Sequence, residues 1–250
     1  VLVQGSSTTL VIALSAALKI ARESADMPDV SIGSMTLGSL WGFSVLLQLI
    51  VAVVAAIAFF RVHRNRDDGR NGWTLALFSA VVLVIAPSLG SHASSSSNAW
   101  AAIPLDIIHV GVGSMWLGTL ALIMIVGIPA ALKTPDVVPA RTRVAAMINR
   151  FSPLALKCGA TIVLTGVTAA FMQWPAVSAL WTTNYGSWLF RKLIFVLLLL
   201  AVGAWNFRRI KPRLDTDEAV AALKRTATIE LLIGVIVLGI TAIMVALGLP

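Results

Sequence analysis

Residues 86–127 read APSLGSHASSSSNAWAAIPLDIIHVGVGSMWLGTLALIMIVG. An apolar run ends near Leu89, a polar loop without charge comes next, and a second apolar run begins near Pro104. Two of the chain's three histidines, His92 and His109, flank that loop. Long apolar segments joined by a short polar loop are the pattern of consecutive transmembrane helices, so both histidines belong near one membrane face. An ionisable residue in an apolar span is expensive in lipid, which makes each histidine a candidate functional group.

The rest of the 250-residue chain is of the same kind: 58% of residues are hydrophobic, 12% are charged, and the mean hydropathy is +0.91. Soluble domains carry about a quarter charged residues, so the expected fold is all-α, a polytopic transmembrane helical bundle. Seven segments reach or approach the roughly 20 apolar residues a spanning helix needs: Val3–Ile20, Leu40–Phe60, Trp73–Leu89, Pro104–Leu132, Ser152–Phe171, Trp188–Phe207 and Thr228–Leu249. The first is the weakest, because GSSTT dilutes it. The alternation of barrel strands is absent. With no repeat or linker to divide it, residues 1–250 read as a single domain. The chain opens at Val1 without methionine and turns apolar almost at once, so further sequence is expected upstream. The one cysteine, Cys158, excludes an internal disulfide framework and a CxxC metal site, and its neighbours LKCGATIVL make it a packed small residue.

A net charge of +8 raises the question of nucleic acid, but the cations cluster in short loops between apolar runs. The positive-inside rule accounts for that without a polyanionic partner. Arg61, Arg64, Arg66 and Arg70 come after the second segment, Lys133, Arg141, Arg143 and Arg150 after the fourth, and Arg208, Arg209, Lys211, Arg213, Lys224 and Arg225 after the sixth. Of the intervening loops, the first holds Glu23, Asp26 and Asp29 against the single cation Arg22, and the others hold no charge at all. Basic loops then face the cytoplasm, with His92 and His109 at the outer face, which in a bacterium is the periplasmic side. His63, in RVHRNRDDGR, reads as a solvated cytoplasmic loop residue. Trp41, Trp100, Trp174, Trp181, Tyr185 and Trp188 fall at outer ends of segments, and Trp73 and Trp205 at inner ends, as aromatic belts require.

Asp106, His109, Gly113 and Trp116 have i, i+3, i+7, i+10 spacing and share one helical stripe. Asp106 stands one turn from His109, where a carboxylate behind a ligating imidazole is a familiar arrangement. Met115 lies beside the stripe and deeper. Imidazole with thioether suits copper, whereas calcium and magnesium take oxygen ligands. The same two histidines would equally ligate haem iron from two sides. A lone membrane histidine, by contrast, is commonly a hydrogen-bonded helix contact.

Seven blocks occur in order: GSHA at 90–93, DIIHVGVGSMWLGTL at 106–120, NRFSPLAL at 149–156, LTGV at 164–167, TTNYGSWLFRKL at 182–193, WNFRRIKPRL at 205–214 and LKRTATIELLIG at 223–234. As a set they resemble the copper-resistance protein D family (CopD/PcoD-like) of bacterial inner-membrane proteins, from about Gly33 to the C-terminus. The resemblance implies movement of copper across the inner membrane beside a small periplasmic copper-binding protein of the CopC type. It maps the family's GHA histidine onto His92 and its D-x-x-H histidine onto His109. Here GSHA stands where GHA commonly follows Thr or Ser.

Further ionisable residues carry two readings each. Lys192 either snorkels to the interface or faces inward toward Asp106. Glu230 pairs with Asn206 or Arg150 as a structural clasp, or serves as an exit-side carboxylate for a cation or proton. Three functions therefore compete: a copper transporter or acceptor, a haem-binding redox protein, and a structural subunit of a homo- or hetero-oligomeric membrane assembly. No P-loop accompanies any of them, no enzymatic site is expected, and the last apolar segment offers no lysine for a retinal Schiff base.

Overall fold

The computed structural model describes residues 12, 14–21, 24, 31–64, 69–91, 98–133, 138–173 and 178–247. Among them there is no strand. Among the described residues, six helices are long and apolar enough to cross a membrane: Leu40–Arg61, Asn71–Leu89, Ala99–Lys133, Ala140–Met172, Asn184–Arg213 and Asp217–Val245. They coincide with six of the expected segments. The remaining one, Val3–Ile20, falls largely outside the described residues, as do His92 and Trp174. Large apolar side chains stay exposed along the spans, among them Leu77, Phe78, Leu164 and Leu197. Water would not tolerate that surface and lipid would. The chain is an all-helical, multi-pass membrane protein.

The chain divides into two compact units, Val1–Ile107 and Ile108–Pro250. In the first, a short α1 (Ile32–Leu37) precedes α2 (Leu40–Arg64) and α3 (Gly69–Leu89), and the unit closes with the opening turns of α4 (Ala99–Leu122). Small buried residues line α2 and α3: Ser44, Ala52, Ala55 and Ala58 on one, Ala76, Ser79 and Ala86 on the other. In lipid, where apolar burial supplies little drive, such residues let backbones approach and pack. Pro87 lies inside α3, and the Gly90 N–H bonds to the Pro87 carbonyl at 3.2 Å, tightening the helix end. The Ala86 carbonyl takes its bond from the Ser44 hydroxyl instead, at 2.5 Å. Gly90 is required there, because a Cβ would stand 2.9 Å from Ser44 Oγ.

The second unit begins within α4, which continues through a π-helical turn at Ile123–Gly127 into α5 (Ile128–Lys133). Next come α6 (Ala140–Gln173), the single turn α7 (Ala179–Thr182) and α8 (Asn184–Trp205). A second π-helical turn, Asn206–Ile210, and a 3₁₀ turn, Lys211–Arg213, lead into α9 (Asp217–Leu247). Ile128, Val144, Ile148, Ile210, Leu214, Val220 and Leu223 form a buried cluster at the end where these connections lie. Arg143 bonds through Nη2 to the Ala131 carbonyl at 2.5 Å and through Nη1 to that of Val138 at 2.6 Å, so one cation serves an orphan acceptor at the end of α5 and a carbonyl just ahead of α6.

Five spanning helices start earlier than their apolar runs: α3 at Gly69 rather than Trp73, α4 at Ala99 rather than Pro104, α6 at Ala140 rather than Ser152, α8 at Asn184 rather than Trp188, and α9 at Asp217 rather than Thr228. Local capping explains two of these. Thr183 Oγ1 accepts from the Gly186 N–H at 2.9 Å, and Thr216 Oγ1 from that of Ala219 at 3.2 Å. Asp217 and Glu218 in the first turn of α9 also complement the helix dipole. Hydrogen bonding carries the helices into polar sequence that hydropathy alone does not count.

Candidate functional site

His109 sits midway along α4, and α6 supplies its partner. Thr165 of α6 is buried, at 7% exposure. Its hydroxyl bonds back to the Thr161 carbonyl at 2.7 Å, the habit of threonine inside membrane helices. His109 Nδ1 lies 2.8 Å from the same oxygen. A hydroxyl has one proton. With that proton given to Thr161, Oγ1 accepts from Nδ1–H, and the basic lone pair of the ring resides on Nε2. Gly166 makes room for the ring: a Cβ there would stand 3.4 Å from His109 Cε1. Hydropathy and motif spacing did not single out Thr165 or Gly166. Both lie in the LTGV block, and a threonine–glycine pair inside a span was the available signal.

In the first unit, the one proton of the Ser91 hydroxyl lies between two acceptors, the Ser88 carbonyl at 3.0 Å and Asp106 Oδ2 at 3.2 Å. The residue immediately before His92 is thereby placed beside the carboxylate. Met115 is 47% exposed on α4. Lys192, in the third turn of α8, is half-buried, and Arg150 on α6 is exposed. Cys158 is buried, as a packed small residue should be. Among the described residues, which exclude His92, no group of three or more His, Cys, Asp or Glu gathers into a metal site.

A second polar station lies in the second unit. Glu230 of α9 is 5% exposed and accepts a hydrogen bond from Asn206 Nδ2 at the end of α8. Asn206 Oδ1 is buried without a hydrogen-bond partner among the described residues. Both residues line a cavity of about 710 Å³ whose other walls include Trp116, Phe151, Leu164 and Leu200. The carboxylate and amide place oxygen donors at membrane depth, where such groups are costly and usually functional, and Arg208 and Lys211 line the same cavity.

Helices that cross a bilayer, with an oriented imidazole and a buried carboxylate inside them, define a multi-pass membrane protein carrying ionisable groups within its spans. Its family resemblance is to copper resistance protein D: residues 145–244 match the family described as "Copper resistance protein D". The matched segment contains Arg150, Thr165, Lys192, Asn206 and Glu230 and does not reach His92 or His109. The chain is also 26% identical over 213 residues to a Bacillus subtilis (strain 168) protein named "Copper transport protein CutJ", covering 85% of this chain. It spans only 37% of that relative's length. No solved structure matches it.

Proposed function

We propose that the protein binds copper at His92 and His109 and moves it across a bacterial inner membrane, contributing to copper homeostasis and resistance. The observation that carries this reading is the His109–Thr165 hydrogen bond in a chain with the copper-resistance resemblance. A ligating histidine characteristically donates its second ring N–H to a fixed acceptor, which sets the tautomer and leaves the other nitrogen basic. Nε2 of His109 is then the ligand atom. His92 is the second ligand. It comes directly after Ser91, whose hydroxyl lies 3.2 Å from Asp106 Oδ2, and Asp106 precedes His109 by one turn of α4. Met115 supplies a thioether and Asp106 a carboxylate near the ion, a donor set with the softness copper favours.

Copper is cargo in this reading, not a resident cofactor. Asn206 and Glu230 form a second station along its path, with the structural clasp as their competing role. The alternation of loop charge supports basic loops on the cytoplasmic side and His92 and His109 on the periplasmic side. A small periplasmic copper-binding protein of the CopC type would deliver or receive the ion there. The name of the B. subtilis relative is in keeping with transport.

Metal analysis of the purified protein tests the reading directly. Wild type should retain copper, and His92→Ala or His109→Ala should lose it while keeping the helical circular-dichroism signal. Undiminished copper in both variants would overturn the assignment. A Soret band in the wild type would shift it to the haem-binding alternative.

A further inference from the structure

The turn joining α8 to α9 carries a cavity that the copper reading does not use. Six cations lie in the sequence 205–225, and their plain role is to hold a basic loop on one side of the membrane. That role does not require them to converge, yet Arg209, Arg213 and Arg225 line one open cavity of about 600 Å³. Glu218 is the single acid among its lining residues. Arg213 and Arg225 have no ion pair among the described residues, and Arg209 contacts the Trp205 ring, 5.7 Å from its centroid.

The floor of the cavity is apolar. Ile210 and Ala219 are buried beneath it, while Trp205 and Ile229 remain exposed on its wall at 57% and 39%. The π-helical turn Asn206–Ile210 shapes this arrangement. A turn with i→i+5 bonding rotates the next stretch of chain relative to a regular helix, and such turns recur at functional sites. Trp205 at a helix end belongs at headgroup level, where its ring straddles apolar and polar layers. The three guanidinium groups therefore stand at the depth of lipid phosphates, above an apolar surface.

We propose that this cavity binds the headgroup of an anionic phospholipid, with Arg209, Arg213 and Arg225 around its phosphate and an acyl chain lying along Trp205 and Ile229. Guanidinium forks match phosphate oxygens in geometry and charge, and cationic pockets between spans suit such headgroups. The volume falls within the ordinary range for ligand pockets, about 300–1,000 Å³. An exposed apolar wall beside the cations favours a lipid over free phosphate. Copper plays no part in this site.

The test uses the delipidated full chain in detergent, titrated with phosphatidylglycerol, phosphatidylcholine or inorganic phosphate and monitored by thermal unfolding. Phosphatidylglycerol should raise the midpoint of the wild type, and the other two should not. Native mass spectrometry should find bound phosphatidylglycerol weakened roughly fivefold by each of Arg209→Gln, Arg213→Gln and Arg225→Gln. Arg191→Gln is the control, since Arg191 also stacks on a tryptophan, 4.6 Å from the Trp188 centroid, without lining this cavity. Equal stabilisation by phosphatidylcholine, an effect reproduced by inorganic phosphate, or equal loss in the Arg191 control would each overturn the proposal. Failure of phosphatidylglycerol to raise the wild-type midpoint would overturn the proposal even if the variants unfold.

Discussion

His109 and Gly166 share a helix crossing so close that a methyl group on the glycine would stand 3.4 Å from the imidazole's Cε1. That spacing accepts an alanine in ordinary contact, while a longer side chain would compete with the ring for the same space. Gly166→Ala should change copper affinity by no more than about threefold, while Gly166→Leu, by turning the ring, should weaken it roughly tenfold or more. Competition titration against a copper chelator measures both, and equal affinities for wild type and Gly166→Leu would separate the ring from the metal.

Thr165→Val keeps the shape of the side chain and removes its oxygen. His109 Nδ1–H would then lose its acceptor, a loss worth about 1–3 kcal/mol when the donor is buried. If His109 is a ligand, copper affinity should also drop about 10–100-fold, and Thr165→Ser should restore both. A drop in stability with affinity untouched would assign Thr165 a purely structural role.

Glu230 and Asn206 allow a test that separates clasp from path. Glu230→Gln can still accept the Asn206 amide bond, so unfolding in a denaturing detergent should move by under about 1 kcal/mol. Copper uptake into vesicles should nonetheless fall if the negative charge serves the ion. Unchanged uptake would leave the pair as a clasp alone.

Packing of α9 on α4 turns on Gly234, where a Cβ would fall 2.6 Å from Leu117 Cδ1. The atom met is the movable end of the Leu117 side chain, so Gly234→Ala should destabilise the protein by about 1 kcal/mol as that side chain turns aside. The same substitution in a Leu117→Ala background should cost clearly less, because the clash is gone. Additive costs in that double-mutant cycle would show that the helices do not meet through these residues.

The spans were legible because lipid imposes length and apolarity on each helix separately, and no knowledge of neighbours is needed to see them. The ends of α2 and α3 came out close for the same reason, since charge or proline and glycine stop the apolar run there. Those of α6 and α9 did not, because their first turns run through polar sequence. His109 was legible as an ionisable residue among apolar ones. Its partner was not, for Thr165 is 56 positions away and only helix packing brings it near. Depth in the membrane narrowed the partner of Glu230 to Asn206 or Arg150, and rotation of the helices about their axes selects Asn206.

The two widened turns, Ile123–Gly127 and Asn206–Ile210, have a consequence for how such a chain can vary in length. Each reads as a regular helix into which one surplus position has been accommodated. Excising a single residue there would restore ordinary coiling and leave the downstream faces in place, whereas the same excision from a regular helix swings them by about 100° around the axis. At the second turn, the side chains from Lys211 onward would therefore keep their faces, and the Trp205 register upstream would stay intact. Single-position deletions, ruinous in most spanning helices, would be absorbed at these points with both ends of the span held in register.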